Sequence, residues 1–69
     1  MIEIKKTYSD AECSEYTMFN DSIQMGYYIV RAEDIEVYHA PVNDDFTMID
    51  FCHDIDDAER LIIESFETV

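Results

Sequence analysis

Apolar and polar residues alternate with a period of two over most of the chain, and the period changes once, near residue 54. Residues 2–8, IEIKKTY, set Ile2, Ile4 and Tyr8 among polar neighbours, the pattern of a half-buried strand. Ser9-Asp10-Ala11-Glu12 matches a capping box, but no sustained apolar period follows, so it supports only a helical turn or loop. EYTMF at 15–19 and IQMGYYIVR at 23–31 are β-prone and flank the turn cluster Asn20-Asp21-Ser22, which together predict a hairpin. Gly26 inside the second arm predicts a bulge or bend, because glycine weakens a regular strand.

After a corner at Glu33-Asp34, IEVYH at 35–39 alternates again, with Ile35 and Val37 on one side and Glu36 and Tyr38 on the other. Residues 40–45, with Pro41, Asn43, Asp44 and Asp45, read as a loop, and FTMIDF at 46–51 as the return strand. From Asp54 the spacing becomes helical. Asp54 is placed to cap a helix over 55–67, with Asp56 and Asp57 in a first turn whose dipole favours anions. Ile55, Ala58, Leu61, Ile62, Ser65 and Phe66 share one face; Asp56, Asp57, Glu59, Arg60, Glu64 and Glu67 occupy the other, with Ile63 projecting among them. Asp56 and Arg60, four apart, are expected to pair, for about 0.2–0.5 kcal/mol.

Short strands followed by one amphipathic helix predict an α+β fold. The expected domain spans 1–69: an antiparallel sheet of four to five strands with the C-terminal helix packed on one face. One helix covers one face only. Apolar residues on both sides of the strands, as in Tyr27-Tyr28-Ile29-Val30, therefore leave Tyr, Met or Phe on the second face, unless curvature or a dimer partner hides them; the chain is expected to be a monomer or homodimer.

Charge changes the picture most. Seventeen Asp and Glu stand against four Lys and Arg, a formal charge of −13. Residues 1–31 hold five acids and three bases, while 32–69 hold twelve acids and a single base, Arg60. With 48% apolar residues the chain is foldable, so the negative half is a property of a folded surface. A domain this small buries only about 60% of its unfolded surface, and crowded like charge weakens it further. Direct binding to nucleic acid or an anionic membrane is opposed by the same charge, because phosphate recognition needs clustered Lys and Arg. The partner class it favours is basic.

No catalytic chemistry is legible. The chain has one glycine, so phosphate-cradling loops are excluded, and no nucleophile motif is present. Asp50, Asp54, Asp56 and Asp57 lack the spacing and glycine of a calcium loop. Cys52-His53 with Cys13 and His39 lacks the paired spacing of a zinc site, so Cys52 reads as a small core residue and His53 as a residue leading into the helix. No cofactor or metal is expected, and the chain is expected not to be an enzyme. Two distant cysteines, no secretory pattern in the opening residues and no bilayer-length apolar run fit a reduced intracellular protein.

The acids fall in clusters: Glu33-Asp34-Glu36, Asp44-Asp45, and Asp50 followed by Asp54, Asp56, Asp57 and Glu59. Carboxylates two apart on a strand lie about 6.8 Å apart on one face, a spacing close to that of successive phosphates. Solvated loops and a helix first turn account for single clusters; their sum on one half of the chain favours phosphate mimicry. In size, charge and sheet-plus-helix organisation, and in the acidic half with Glu33-Asp34, Asp44-Asp45 and Asp54-Ile55-Asp56-Asp57, the chain resembles the small acidic anti-CRISPR and anti-restriction inhibitors of bacteriophages that act as DNA mimics. That resemblance implies a non-enzymatic inhibitor in the cytoplasm of an infected bacterial host, bound to the basic DNA-binding surface of a protein or ribonucleoprotein target. The expected contact residues are Glu33, Asp34, Glu36, Asp44, Asp45, Asp50, Asp56, Asp57 and Glu59, with Tyr38 and Ile63 as short-range anchors. An acidic regulatory module, such as an antitoxin or adaptor neutralising one basic protein, is the alternative.

Overall fold

A computed structural model describes residues 1–39 and 47–67, with the backbone alone at 47–49. Strands β1 (Ile2–Ser9), β2 (Ser14–Asn20), β3 (Ile23–Val30), β4 (Ile35–His39) and β5 (Thr47–Cys52) precede helix α1 (Ile55–Glu67). The strands lie side by side in chain order, each antiparallel to the next, and α1 packs across β3, β4 and β5. The fold is the α+β sheet-and-helix arrangement the pattern predicts. The loop expected at 40–45 lies outside the described residues, and β5 ends one residue later than expected.

Each described connection has a local cause. Between β1 and β2 no helical turn forms: Asp10, not Ser9, caps the loop, its Oδ1 accepting the N–H groups of Glu12 at 2.8 Å and Cys13 at 2.9 Å. Between β2 and β3, Asp21 (φ 51°) and Ser22 (φ 73°) are both left-handed, as in the two-residue turns whose twist matches that of the strands they join. Between β3 and β4, the Arg31 N–H donates to the Asp34 carbonyl at 2.9 Å and closes the Glu33-Asp34 corner.

The expected irregularity at Gly26 is a bulge. Met18 pairs with Gly26 and Phe19 with Gln24, which leaves Met25 as the extra residue, buried in the core. Gly26 itself lies where α1 crosses the sheet. A Cβ there would run into the Tyr38 carbonyl and stand 3.0 Å from His39 Cα and 3.2 Å from Ile62 Cγ2, so absence of a side chain lets sheet and helix close together. Met18, Met25, Tyr28, Ile35, Val37, Cys52, Ala58 and Ile62 form the core. Tyr16 on β2 adds to it by stacking on Tyr28 at 5.3 Å.

Helix α1 has the expected bounds and cap, Asp54 Oδ1 accepting the Asp57 N–H at 2.8 Å. Its rotation about its axis differs from the expectation. Ile63 is half-buried against the core and does not stand on the acidic face. Glu59 is half-buried too, and its Oε2 accepts the Tyr28 hydroxyl at 2.9 Å. These residues are four apart on one flank of the buried stripe, and that flank leans over β3. Arg60 does not pair with Asp56: it bridges Asp57 at 3.0 Å and Glu64 at 3.5 Å, which lie on one helical stripe with Arg60 between them.

The face of the sheet away from α1 carries the expected aromatics. Thr17, Tyr27 and Tyr38 are successive register partners and so share it, with the Tyr27 and Tyr38 rings stacked at 4.7 Å. Stacking leaves both rings half-buried, while Phe51, opposite Glu36 on the outer strand, is 55% exposed.

Candidate partner-binding surface

The β3–β4 corner and the start of α1 meet because Ile35 pairs with Cys52, which brings residues 31–34 against residues 53–56. Between them lies a cleft of about 380 Å³. Glu33, Asp34, Asp54 and Asp56 line it together with Arg31, His53 and the apolar Val30, Ile35 and Ile55. Two acidic clusters twenty residues apart in the chain thus become one surface.

Among the described residues, the salt bridges use Asp21, Glu36, Asp57 and Glu64, and none uses Glu33, Asp34, Asp54 or Asp56. Asp54 spends one oxygen on capping α1. Ile55 is 43% exposed among these acids although its spacing assigns it to the core face, because at the first residue of α1 the helix has not yet come down onto the sheet.

Other expected contact residues are engaged within the domain. Glu36 takes the Tyr38 hydroxyl on Oε1 at 2.9 Å and an ion pair from Arg31 on Oε2; the Tyr38 hydrogen bond, and after it Arg31, holds its carboxyl below the usual carboxylate range. Tyr38 is stacked on Tyr27 and points away from the cleft, on the face opposite α1. Asp57 is bridged by Arg60, Glu59 is taken by Tyr28, and Ile63 lies in the core packing. Asp50 is exposed on β5 and accepts the Phe51 N–H at 2.7 Å. Asp44 and Asp45 lie outside the described residues. The structure therefore brings Glu33, Asp34 and Asp56 together and adds Asp54 and Ile55, which helix periodicity had absorbed as a cap and a core position.

Among the described residues no group of three or more His, Cys, Asp or Glu is arranged to hold a metal ion. Cys52 is buried in the core, where burial pushes its thiol upward, and Cys13 is half-buried; both are free thiols. No described helix is long and apolar enough to cross a membrane. No protein-family model, curated protein or solved structure matches the chain.

Proposed function

We propose that this protein is a non-enzymatic inhibitor that occupies the basic DNA-binding surface of a CRISPR effector complex or restriction enzyme, in the manner of the phage DNA mimics it resembles. The observation that supports this reading is the cleft at the β3–β4 corner, where Glu33, Asp34, Asp54 and Asp56, which form no salt bridge among the described residues, surround the exposed Ile55. Acids outside any salt bridge present charge to a phosphate-binding surface, and the net charge of −13 steers the encounter from a distance. Ile55 supplies contact area once the charges have docked.

The test is a mobility-shift assay of labelled target duplex on a panel of purified CRISPR effectors and restriction enzymes, with and without this protein. Loss of duplex binding by at least one member is expected, weaker at about 150 mM than at about 50 mM salt because charge steering is screened. The triple reversal Glu33→Lys, Asp34→Lys, Asp56→Lys should abolish the effect. Inhibition that ignores both salt and the reversal overturns the proposal. Binding that excess unlabelled duplex cannot displace assigns the chain instead to the class of acidic adaptors and antitoxins.

A further inference from the structure

Strand β1 is an uncovered sheet edge, and its sequence is complementary to itself. All eight of its residues are exposed, and among the described residues it pairs on one side only, with β2. The Met1 carbonyl accepts the Asp21 N–H at 3.2 Å, which turns the main-chain groups of Met1 toward the β2–β3 hairpin. Since main-chain groups alternate sides along a strand, Glu3 and Lys5 also face β2, and Ile2, Ile4 and Lys6 turn their N–H and C=O groups outward. Regular pairing ends at Thr7, the bulged residue between Lys6 and Tyr8. The free edge is thus the regular segment 2–6, centred on Ile4.

We propose that a second copy of this chain docks on that edge, β1 against β1 antiparallel about a two-fold axis at Ile4, to give one continuous sheet across two subunits. The register follows from charge. With Ile4 opposite Ile4, Glu3 lies opposite Lys5 of the other copy twice over, and Ile2 lies opposite Lys6. Sliding the pair by one register step either way sets Glu3 against Glu3 or Lys5 against Lys5, and like charges directly opposite are destabilising. Glu3 and Lys5 then occupy the non-hydrogen-bonded positions, where side chains approach most closely, while Ile2, Ile4 and Lys6 exchange about six main-chain hydrogen bonds.

Two further observations support a second copy as the occupant. β1 carries Lys5 and Lys6, two of the four basic side chains, against Glu3 alone, so it is the element on which two strongly negative chains approach with least repulsion. Ile4 pairs with Met18, which pairs with Gly26 beneath Ile62, so Ile4 lies on the helix side of the sheet but beyond the helix, 42% exposed. In the pairing it meets its own copy. The cleft at the β3–β4 corner lies on other strands and remains free in both subunits.

The test is sedimentation equilibrium of the full chain at about 0.15 M salt, with Glu3→Lys and Lys5→Glu variants checked for fold by circular dichroism. The parent is expected to reach twice the 8.1 kDa chain mass. Each single variant sets like charges opposite one another at two places and should dimerise about 10- to 100-fold more weakly. When the two variants are mixed, both lysines of one copy face both glutamates of the other across positions 3 and 5. The mixture should therefore restore the dimer, an outcome that a folding defect cannot produce. A monomeric parent at about 0.5 mM, single variants that dimerise like the parent, or a mixture that stays monomeric each overturns the proposal.

Discussion

Replacing Glu59 with Ala removes the acceptor of the Tyr28 hydroxyl while leaving that hydroxyl beneath the helix. Tyr28 is 2% exposed and donates to Glu59 Oε2 at 2.9 Å. A buried donor left without a partner loses its full hydration, which costs about 1–3 kcal/mol. The opposite deletion, Tyr28→Phe, strands a half-buried carboxylate that water can reach, so its cost is nearer 0.5–1.5 kcal/mol, roughly that of one ordinary hydrogen bond. A domain of 69 residues holds about 3–10 kcal/mol in total, and crowded negative charge pulls this one toward the lower end. Glu59→Ala therefore removes a large share.

The assay is urea unfolding followed by far-ultraviolet circular dichroism; urea is preferred to guanidinium because guanidinium ions would screen the self-repulsion. The midpoint should fall with an unchanged slope, and the melting temperature by about 4–8 °C per kcal/mol. The double variant Tyr28→Phe, Glu59→Ala should lose clearly less stability than the sum of the single losses, since no donor is then stranded. Burial, and after it the bond to Glu59, pushes the Tyr28 pKa upward. The stabilisation is therefore complete below the ordinary tyrosine value of about 10 and is lost only as pH rises beyond it, so the penalty should be constant between about pH 7 and 9. A Glu59→Ala protein as stable as its parent, or strictly additive losses, would refute the account.

Three other outcomes are expected. Gly26→Ala should destabilise by about 1–3 kcal/mol or more in the same assay, because the new Cβ meets the β4 backbone, which cannot rotate away; an unchanged midpoint would mean that sheet and helix do not close at Gly26. Ser22→Gly should raise stability by about 0.5–1 kcal/mol, since glycine adopts the left-handed φ of 73° without Cβ strain, and a lowered midpoint would contradict that turn. The Tyr8 hydroxyl, with the N–H groups of Glu12 and Cys13, holds Asp10 down to about 2. Its contribution is present above the ordinary aspartate value and is lost as pH falls toward 2, so an NMR titration of its carboxyl should show a midpoint near 2 and not near 4.

Periodicity located every described strand and both ends of α1, because a half-buried strand and an amphipathic helix each write their burial into local spacing. Loop chemistry was legible where one side chain acts on its own neighbourhood, as with Asp54. At Ser9-Asp10 it left a helical turn and a loop both open, because the same residue types serve a helix cap and a hairpin loop, and the structure has the loop. Helix spacing defined the rotation of α1 only to within one flank. Glu59 and Ile63 were therefore assigned to the solvent side, when the tilt of that flank over β3 puts one against Tyr28 and packs the other half-buried against the core.

What the sequence by itself determined is the sheet-and-helix class, the element boundaries to within about a residue and the concentration of negative charge in residues 32–69, all of which depend on residues close together in the chain. Only the tertiary structure decided which acids lie together. Pairing Ile35 with Cys52 joins Glu33 and Asp34 to Asp54 and Asp56 around Ile55, while Arg31, Arg60 and Tyr28 engage Glu36, Asp57 and Glu59. A carboxylate's availability to a partner depends on what stands within a few ångströms of it, and here those neighbours come from different strands or from the next turn of the helix.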